Sequence, residues 1–418
     1  MPASSSRPLP ALPLPEPLRG EEEGTFAHHT VALRLPEIGR RTLAENDFSP
    51  ERARRLQALI DELPQGQVRP LQDRAAPDSQ AWAAYCAPYL GQSWLQVPWF
   101  FAENYFYRRL LEAVDYFISG QDPFTLQKRL GLETSAQAIV QLCAGQPARI
   151  EALNAPARDT RLAAVQDLFL LSLWGNQADL SLWPAGSPGA SRGPAGREVS
   201  NARLVVDHSA ALAAHLLPLP APGMPAPQPL RLDLLLDNAG LELVNDLLLA
   251  DALLQAGLAR EVRLHAKAHP TFVSDALPAD VLSTFDFLLR LPEPAARQVG
   301  MRLYRRLEDG RLRLRSDFFW NSPLPAWELP PELREELAGS NLVIGKGDAN
   351  YRRILGDRHW PFETPLEAIT AYRPAPLAAL RVCKSEVAAG LQAGQAVRLQ
   401  ALDPDWMVNG LWGMIQFA

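Results

Sequence analysis

The chain has 418 residues and a formal net charge of −6, and 47% of its residues are hydrophobic. This length is enough for two domains with a large buried core, and the acidic balance lacks the basic footprint of a nucleic-acid-binding protein. The three cysteines, Cys86, Cys143 and Cys383, lie too far apart for a disulfide framework or a CxxC zinc pair, which indicates a reducing, cytoplasmic location.

The first part of the chain is predicted to be a proline-rich tail followed by a helical domain. Residues 1–23 lack the apolar core of a secretory signal, and no run is long and apolar enough to cross a membrane, so we expect a disordered tail. Residues 24–182 are predicted as a helical domain. Apolar residues recur there at helical spacing in Ala53–Leu63, Phe100–Tyr116 and Asp159–Trp174.

Residues 183–229 are predicted to be a linker, because the proline-rich and glycine-rich stretch Trp183–Gly196 and the proline-rich stretch Leu217–Pro229 dominate it. From residue 230 to residue 418, strand and helix patterns alternate. This alternation predicts a three-layer α/β/α sandwich with a largely parallel sheet. The predicted strands cover 230–236, 262–266, 312–315, 341–345 and 377–382, and the predicted helices cover 241–256, 280–291, 331–338 and 349–355.

The end of the first of these strands carries a candidate metal site. The apolar run Leu230–Leu236 stops at Asp237 and Asn238, and an amphipathic helix follows. Ligands bind at the carboxyl ends of strands in open α/β sheets, and a carboxylate beside an amide offers two hard oxygen ligands. The same pair also suits a helix N-cap, and the motif alone does not separate these interpretations. Glu242 on the following helix is either solvated or a supporting acid.

Asp275 follows the next predicted strand. Taken alone, an aspartate at this position is typical of a turn. Its place at the end of the neighbouring β-α unit changes that interpretation, because neighbouring parallel strands end at the same edge of a sheet. Asp237 and Asp275 are therefore predicted to reach one cation together.

The segment 345–348, Gly-Lys-Gly-Asp, ends a later strand and opens a helix. Glycines let the backbone approach a ligand closely, and the N–H groups at a helix N-terminus favour an anion. Lys346 and Arg352 add positive charge, and Lys384 ends the last predicted strand, so these residues are predicted to hold a phosphate. Asp348 is interpreted as a helix cap with a function. The segment is not a P-loop, since GxxxxGK[ST] is absent, and no GxGxxG follows a strand.

In their order along the chain, these motifs resemble the damage-control (metabolite-repair) phosphatases, in the acidic-residue-methyltransferase-like branch, subfamily III. The resemblance extends from about Gly24 to the C-terminus. It is carried by Trp99–Arg109, Leu173–Ser181, Leu236–Val244, Val273–Asp275, Lys346–Arg352 and Arg381–Lys384. The last motif departs from the family pattern Arg-Thr-x-Lys, because valine stands in place of threonine. The lost hydroxyl donor affects the expected substrate preference.

The resemblance implies a divalent metal, Mn, Co, Ni or Mg, held by the residues that match Asp237, Asn238 and Asp275. Asp237 or Asp348 is expected to act as nucleophile or general base, and both direct carboxylate attack and attack by a metal-bound water stay open. Glu242 and Glu103 are expected to be supporting acids or contacts of an alternative cofactor. The residues implied to bind the phosphate and sugar groups of the substrate are Asp237, Asn238, Asp348, Ala349, Asn350, Tyr351, Arg352 and Lys384.

The expected function is a metal-dependent phosphatase that hydrolyses small phosphosugars such as fructose 1-phosphate. Two other classes stay open. One is an S-adenosylmethionine-dependent carboxyl methyltransferase acting on protein glutamate, with Glu242 and Asp275 as candidate contacts, although no glycine-rich loop follows a first strand. The other is a non-catalytic phosphosugar-binding protein, against which the acidic cluster argues. We expect no nucleic acid or membrane partner, and a monomer or weak oligomer.

Overall fold

The computed structural model describes residues 9–176, 202–219 and 228–418. Several predicted features lie outside these residues: the first eight positions of the predicted tail, the proline- and glycine-rich stretch 183–196, most of the second proline-rich stretch, and the end of the motif Leu173–Ser181. The fold described below is that of the three described ranges.

A seven-stranded sheet forms the centre of the molecule, with the spatial order β1-β7-β6-β5-β2-β3-β4. Every neighbouring pair is parallel except β6 and β7, which are antiparallel. The strands are β1 Leu204–Asp207, β2 Leu230–Leu235, β3 Ala259–Lys267, β4 Leu312–Asp317, β5 Leu342–Lys346, β6 Leu377–Val382 and β7 Gly413–Phe417.

Helices precede the sheet and alternate with its strands. Those before β1 are α1 Phe26–His29, α2 Leu35–Glu45, α3 Pro50–Glu62, α4 Ser79–Cys86, α5 Trp99–Ala113, α6 Tyr116–Ser119, α7 Thr125–Thr134, α8 Ala136–Ala144, α9 Gln146–Leu153 and α10 Arg158–Leu173. Those after β1 are α11 Ser209–Leu216, α12 Leu241–Gln255, α13 Pro278–Arg290, α14 Pro294–Glu308, α15 Pro331–Ala338, α16 Gly347–Leu355, α17 Leu366–Ile369 and α18 Gln395–Leu402. A π-helical turn, Thr30–Arg34, joins α1 to α2.

Helices cover both faces of the sheet. Side chains alternate along each strand, so successive residues pack into different cores. In β2 and just beyond it, Leu232, Leu234 and Leu236 pack in the hydrophobic core that contains α8 to α14. Leu235 points the other way, into the core that contains α2 to α5, α15 and α16. This confirms the predicted three-layer α/β/α sandwich with a largely parallel sheet. The predicted helical region supplies helices to both layers.

Two segments outside the predicted elements are ordered parts of this fold. Residues 202–219, which composition placed in the linker, contain β1 and α11, and β1 pairs with β7 at the edge of the sheet. In the predicted tail, Leu18 is only 2% exposed, and its backbone N–H donates to Asp357 O at 3.0 Å. Proline content therefore marked these segments as irregular without revealing that they pack against the rest of the chain.

The strand order creates a crevice at one edge of the sheet. The chain passes from β2 to β3 on one side, and β5 lies against β2 on the other side, so the order of connection reverses between β2 and β5. In doubly wound sheets the carboxyl ends of the strands at such a reversal form the usual ligand-binding crevice. None of the helices in the described ranges combines the length and the apolar character that a bilayer span requires.

Candidate functional site

A cavity of about 240 Å³ lies at this edge of the sheet. Its walls carry residues that follow the carboxyl ends of β2, β3, β5 and β6, together with residues from α1, α5 and the π-helical turn. The predicted site residues that line the cavity are Glu103, Asp237, Asn238, Glu242, Asp275, Asp348, Ala349, Arg352 and Lys384. Segments that lie far apart in sequence thus meet at one place.

Asp237, Asn238 and Asp275 are held together by the backbone. The segments after β2 and β3 form a bridge between Asn238 and Asp275, and Ala276 N–H donates to Asp237 O at 2.8 Å. The Asn238 amide donates to Asp237 Oδ2 at 2.6 Å and to Glu242 Oε2 at 2.8 Å. The amide oxygen of Asn238 accepts a hydrogen bond from Ser274 Oγ. Two carboxylates and one amide are therefore positioned at one end of the cavity by hydrogen bonds within the chain.

This end of the cavity concentrates buried negative charge. Burial, reinforced by the charges of Glu242 and Asp275, raises the pKa of Asp237 well above its usual range. Burial also raises the pKa of Asp275 to about 6, although Lys267, whose Nζ lies 3.4 Å from Asp275 Oδ2, acts in the opposite direction. Buried carboxylates that repel one another favour a bound cation, which would stabilise their ionised forms.

The chemistry of the donors suits a hard cation. Within the described ranges, no group of three His, Cys, Asp or Glu side chains is arranged to hold a metal ion. The candidate set of two carboxylates and one amide differs from such a group because it includes Asn238. Oxygen donors of this mixed kind are common in sites for Mg and Mn, where water and substrate complete the coordination.

Gly347 makes the approach of Asp237 possible. The φ angle of Gly347 is +79°, and a Cβ at this position would lie 1.9 Å from Asp237 Oδ2. Any residue with a side chain would therefore collide with the carboxylate. The glycine that begins α16 lets the helix N-terminus, with its unpaired backbone N–H groups, stand directly against Asp237.

Asp348 and Lys384 form the next part of the wall. Asp348 Oδ1 accepts hydrogen bonds from Lys384 N at 3.3 Å and Ser385 Oγ at 3.0 Å, and it forms an ion pair with Arg381 Nε at 2.8 Å. These contacts tie the start of α16 to the loop after β6. The Lys384 side chain itself is exposed and lines the cavity.

Arg352 reaches the cavity but is already neutralised by acids. It donates to Asp357 Oδ1 and Oδ2 at 2.7 and 3.1 Å, and it forms an ion pair with Glu103. Its guanidinium carbon lies 3.6 Å from the ring centroid of Trp99. These hydrogen bonds use three of the five N–H donors of a guanidinium, so a ligand oxygen can still be met by the other two.

Three residues that were expected to face a phosphate point elsewhere. The buried amide of Asn350 donates to the carbonyls of Leu236 at 3.1 Å and Lys346 at 2.8 Å. The Tyr351 hydroxyl accepts from a backbone N–H at 3.3 Å, and the Tyr351 ring lies beneath Arg381. Lys346 is fully buried and forms an ion pair with Asp246 at 2.8 Å. The prediction that Lys346 adds charge to a phosphate cradle is therefore wrong, because this residue still belongs to β5 and faces α12.

Sequence patterns missed other parts of the wall. Phe26 and Arg34 come from the N-terminal helical region, more than 200 residues before Asp237, and no motif connects them to the strand ends. Phe272 also lines the cavity, and both it and Val273 have positive φ angles, +46° and +67°. A β-branched residue in this region is strained, and such strain has no signature in the sequence.

Comparisons with known proteins identify the family of the chain. A family profile described as "Damage-control phosphatase ARMT1-like domain" matches residues 30–399. A Danio rerio protein named "Damage-control phosphatase ARMT1" is 33% identical over 436 residues, which cover 97% of both chains. The Homo sapiens protein of the same name is 28% identical and covers 97% of this chain and 98% of its own. A Pyrococcus horikoshii structure described as a DUF89 family protein has 14% identity and a TM-score of 0.46, covering 91% of this chain and 95% of its own.

Proposed function

Because the chain belongs to the family of damage-control phosphatase ARMT1-like proteins, we propose that it is a metal-dependent phosphomonoesterase that hydrolyses small phosphosugars such as fructose 1-phosphate. The observation that carries the proposal is the convergence of Asp237, Asn238, Asp275 and Lys384 on one cavity at the carboxyl edge of the sheet. An acidic end and a cationic wall in one cavity suit a phosphate that binds together with a cation.

Asp237, Asn238 and Asp275 are the residues that would hold the metal, with Mn, Co, Ni and Mg as candidates. The cation would supply a Lewis acid that polarises a phosphoryl oxygen and neutralises charge between phosphate and carboxylates. Lys267 holds Asp275 through an ion pair, and Glu242 holds the amide of Asn238 through a hydrogen bond. The excess of buried negative charge supports this assignment, since a phosphate alone would be repelled.

The chain's own groups are proposed to bind the phosphate from the opposite side. Lys384 donates to a phosphoryl oxygen, as do the backbone N–H groups at the start of α16, where Gly347, Asp348 and Ala349 have no partners within the helix. Charge on the phosphoryl oxygens is the main demand in phosphoryl transfer, so fixed donors around the group lower the barrier. Arg352 offers its remaining N–H donors from the neighbouring wall.

Asp237 and Asp348 are the candidate nucleophile or general base. The hydrogen bonds and the ion pair of Asp348 all go to Oδ1, which leaves Oδ2 for a proton or for the reacting atom. Asp237 is the more deeply buried of the two and is crowded by two further carboxylates. Its position fits a ligand that is fixed in place, whereas the position of Asp348 beside Lys384 fits a group that acts on the substrate.

Phosphate release from a panel of phosphosugars tests this proposal. The purified protein is treated exhaustively with EDTA and then supplied with Mn, Co, Ni or Mg in turn. We expect activity to disappear on chelation and to return with at least one of these metals. Full activity in protein that elemental analysis shows to be metal-free would refute the metal dependence. Absence of phosphate release with every metal and substrate would refute the phosphatase assignment.

The carboxyl methyltransferase alternative has no specific structural observation in its favour. The strand β1 passes through His208 directly into α11 without a glycine, and Glu242 is engaged by Asn238 and Lys346. Isothermal titration with S-adenosylmethionine distinguishes it from the phosphatase. Saturable binding in protein that releases no phosphate would favour the methyltransferase.

A further inference from the structure

The cavity has a second end, which the proposed catalytic groups do not use. Phe26 and Arg34 line it beside Trp99 and Glu103. Arg34 is the last residue of the π-helical turn, in which Leu35 N–H donates to Thr30 O. Pro36 follows Leu35, and a proline cannot continue a regular helix without losing a donor and crowding the preceding turn. The π turn ends two residues before this proline, and Arg34 at its end lines the cavity.

Aromatic rings hold this end in a defined shape. The Arg34 guanidinium carbon lies 5.3 Å from the ring centroid of Phe26, and Phe26 meets Trp99 edge to face at 6.0 Å. The next residue in the chain, Ala27, donates its N–H to Glu386 Oε2 at 3.3 Å. The N-terminal segment is thereby fixed both to α5 and to the loop that carries Lys384.

The charges at this end balance one another. Arg352 is neutralised by Glu103 and Asp357, whereas Arg34 has no carboxylate within ion-pairing distance among the residues that the structure describes. Burial raises the pKa of Glu103, while the nearby charges of Arg352 and Arg34 act in the opposite direction. Two cations and two carboxylates leave this end close to neutral. The other end, with Asp237, differs because it carries an excess of carboxylates.

We propose that this neutral end binds the polyhydroxylated, uncharged part of the substrate, with Arg34 as a specificity-determining residue. Arg34 donates to sugar hydroxyls, Glu103 accepts from them, and the faces of Phe26 and Trp99 pack against the C–H groups. A second phosphate is disfavoured at this end, because Glu103 and Asp357 already neutralise the charge of Arg352 and the carboxylate of Glu103 repels a further anion. The inference rests on the proposed function, since it assumes that the phosphate is held at the Asp237 end.

The test compares the wild-type protein with Arg34→Ala, Arg34→Lys and the control Arg40→Ala, which removes an exposed arginine that does not line the cavity. Specificity constants are measured for fructose 1-phosphate, fructose 1,6-bisphosphate and 2-hydroxyethyl phosphate, which lacks the polyol. In Arg34→Ala, the ratio of the fructose 1-phosphate constant to the 2-hydroxyethyl phosphate constant should fall by about tenfold to a hundredfold, the size expected for one charge-assisted hydrogen bond. Arg34→Lys should recover part of it.

The control Arg40→Ala should keep the wild-type ratio, and the wild type should prefer the monophosphate to the bisphosphate. An unchanged ratio in Arg34→Ala, or a preference for the bisphosphate, overturns the inference. If the wild type releases no phosphate at all, the proposed function is wrong, and the role of Arg34 is then tested by the binding of fructose 1-phosphate alone. Quenching of tryptophan fluorescence by fructose 1-phosphate should then still be weaker for Arg34→Ala. Equal binding by the variant and the wild type, or no binding by either, overturns the inference.

Discussion

Substitution of Gly347 by alanine tests whether the close approach of α16 to Asp237 matters for activity. The new Cβ would lie 1.9 Å from Oδ2 and 2.1 Å from Cγ of Asp237, whereas real Cβ atoms essentially never approach another heavy atom within 3.0 Å. The carboxylate or the start of α16 must therefore move by about 1 Å. Because a misplacement of about 1 Å can cost about a hundredfold in rate, we expect Gly347→Ala to lower kcat/KM for phosphosugars by about that factor.

The backbone contributes a second, separate effect. Gly347 has a φ of +79°, and an L-residue in the left-handed region costs roughly 1–2 kcal/mol. Gly91→Ala is a matched control, because Gly91 has a φ of +77° and a Cβ built there meets no heavy atom within 4 Å. The two variants should lose similar unfolding free energy through the backbone, but only Gly347→Ala should also lose activity.

Two measurements decide the outcome: phosphate release at saturating metal, and unfolding by denaturant. If Gly347→Ala keeps wild-type kcat/KM, Asp237 does not need its observed position for the reaction. If Gly91→Ala loses as much activity as Gly347→Ala, general destabilisation explains the loss, and the geometric argument is wrong.

Three other substitutions test separate features of the structure. Lys384→Ala should lower kcat/KM for a phosphosugar by about tenfold to a hundredfold, because it removes a charge-assisted contact. Arg398→Ala, which removes an exposed cation from α18, should leave kcat/KM unchanged. Equal losses in the two variants would contradict the assignment of Lys384 to the phosphate. Asp237→Asn should abolish phosphate release without lowering the Tm of the metal-free protein, because it relieves repulsion among buried carboxylates, and a clear drop in Tm would count against this. Burial lowers the pKa of His269 to about 4. Between pH 4 and its ordinary value near 6.5, this histidine therefore binds more protons in the unfolded state, and its contribution to stability falls as the pH is lowered through this window. From pH 7 to pH 5 that contribution changes by about 2 kcal/mol, so the difference in unfolding free energy between the wild type and His269→Gln should shift by this amount in denaturant titrations at the two pH values, and an unchanged difference would count against it.

The strand ends could be predicted from the sequence because each is marked locally. An apolar run that stops at Asp237 and another that stops at Gly345 show where parallel strands end, and such ends share one edge of a sheet. The prediction for Lys346 was wrong because β5 continues one residue further than the apolar run. Side chains alternate along a strand, so Lys346 shares the face of Ile344 and points toward α12.

Helical periodicity explains which residues of α16 reach the cavity. Asp348, Ala349 and Arg352 fall on one face of the helix and line the cavity, whereas Asn350 and Tyr351 fall on the face that packs on the sheet. This division was available from the spacing alone. The place of Arg34 on the cavity wall was not, because it depends on how the N-terminal helices pack against the edge of the sheet.

The cavity collects features that are unfavourable for folding. Asp237, Asp275 and Glu242 are buried close enough to raise one another's energy, and Phe272 and Val273 hold positive φ angles of +46° and +67° in the adjoining loop. Strain of this kind costs of order 1–3 kcal/mol at each residue and persists only where the surrounding structure enforces it. A polar crevice without a ligand would gain stability by losing these features. A bound cation would relieve the repulsion among these carboxylates, so metal binding should also stabilise the folded chain. The proposed metal site is therefore coupled to the stability of the loop after β3.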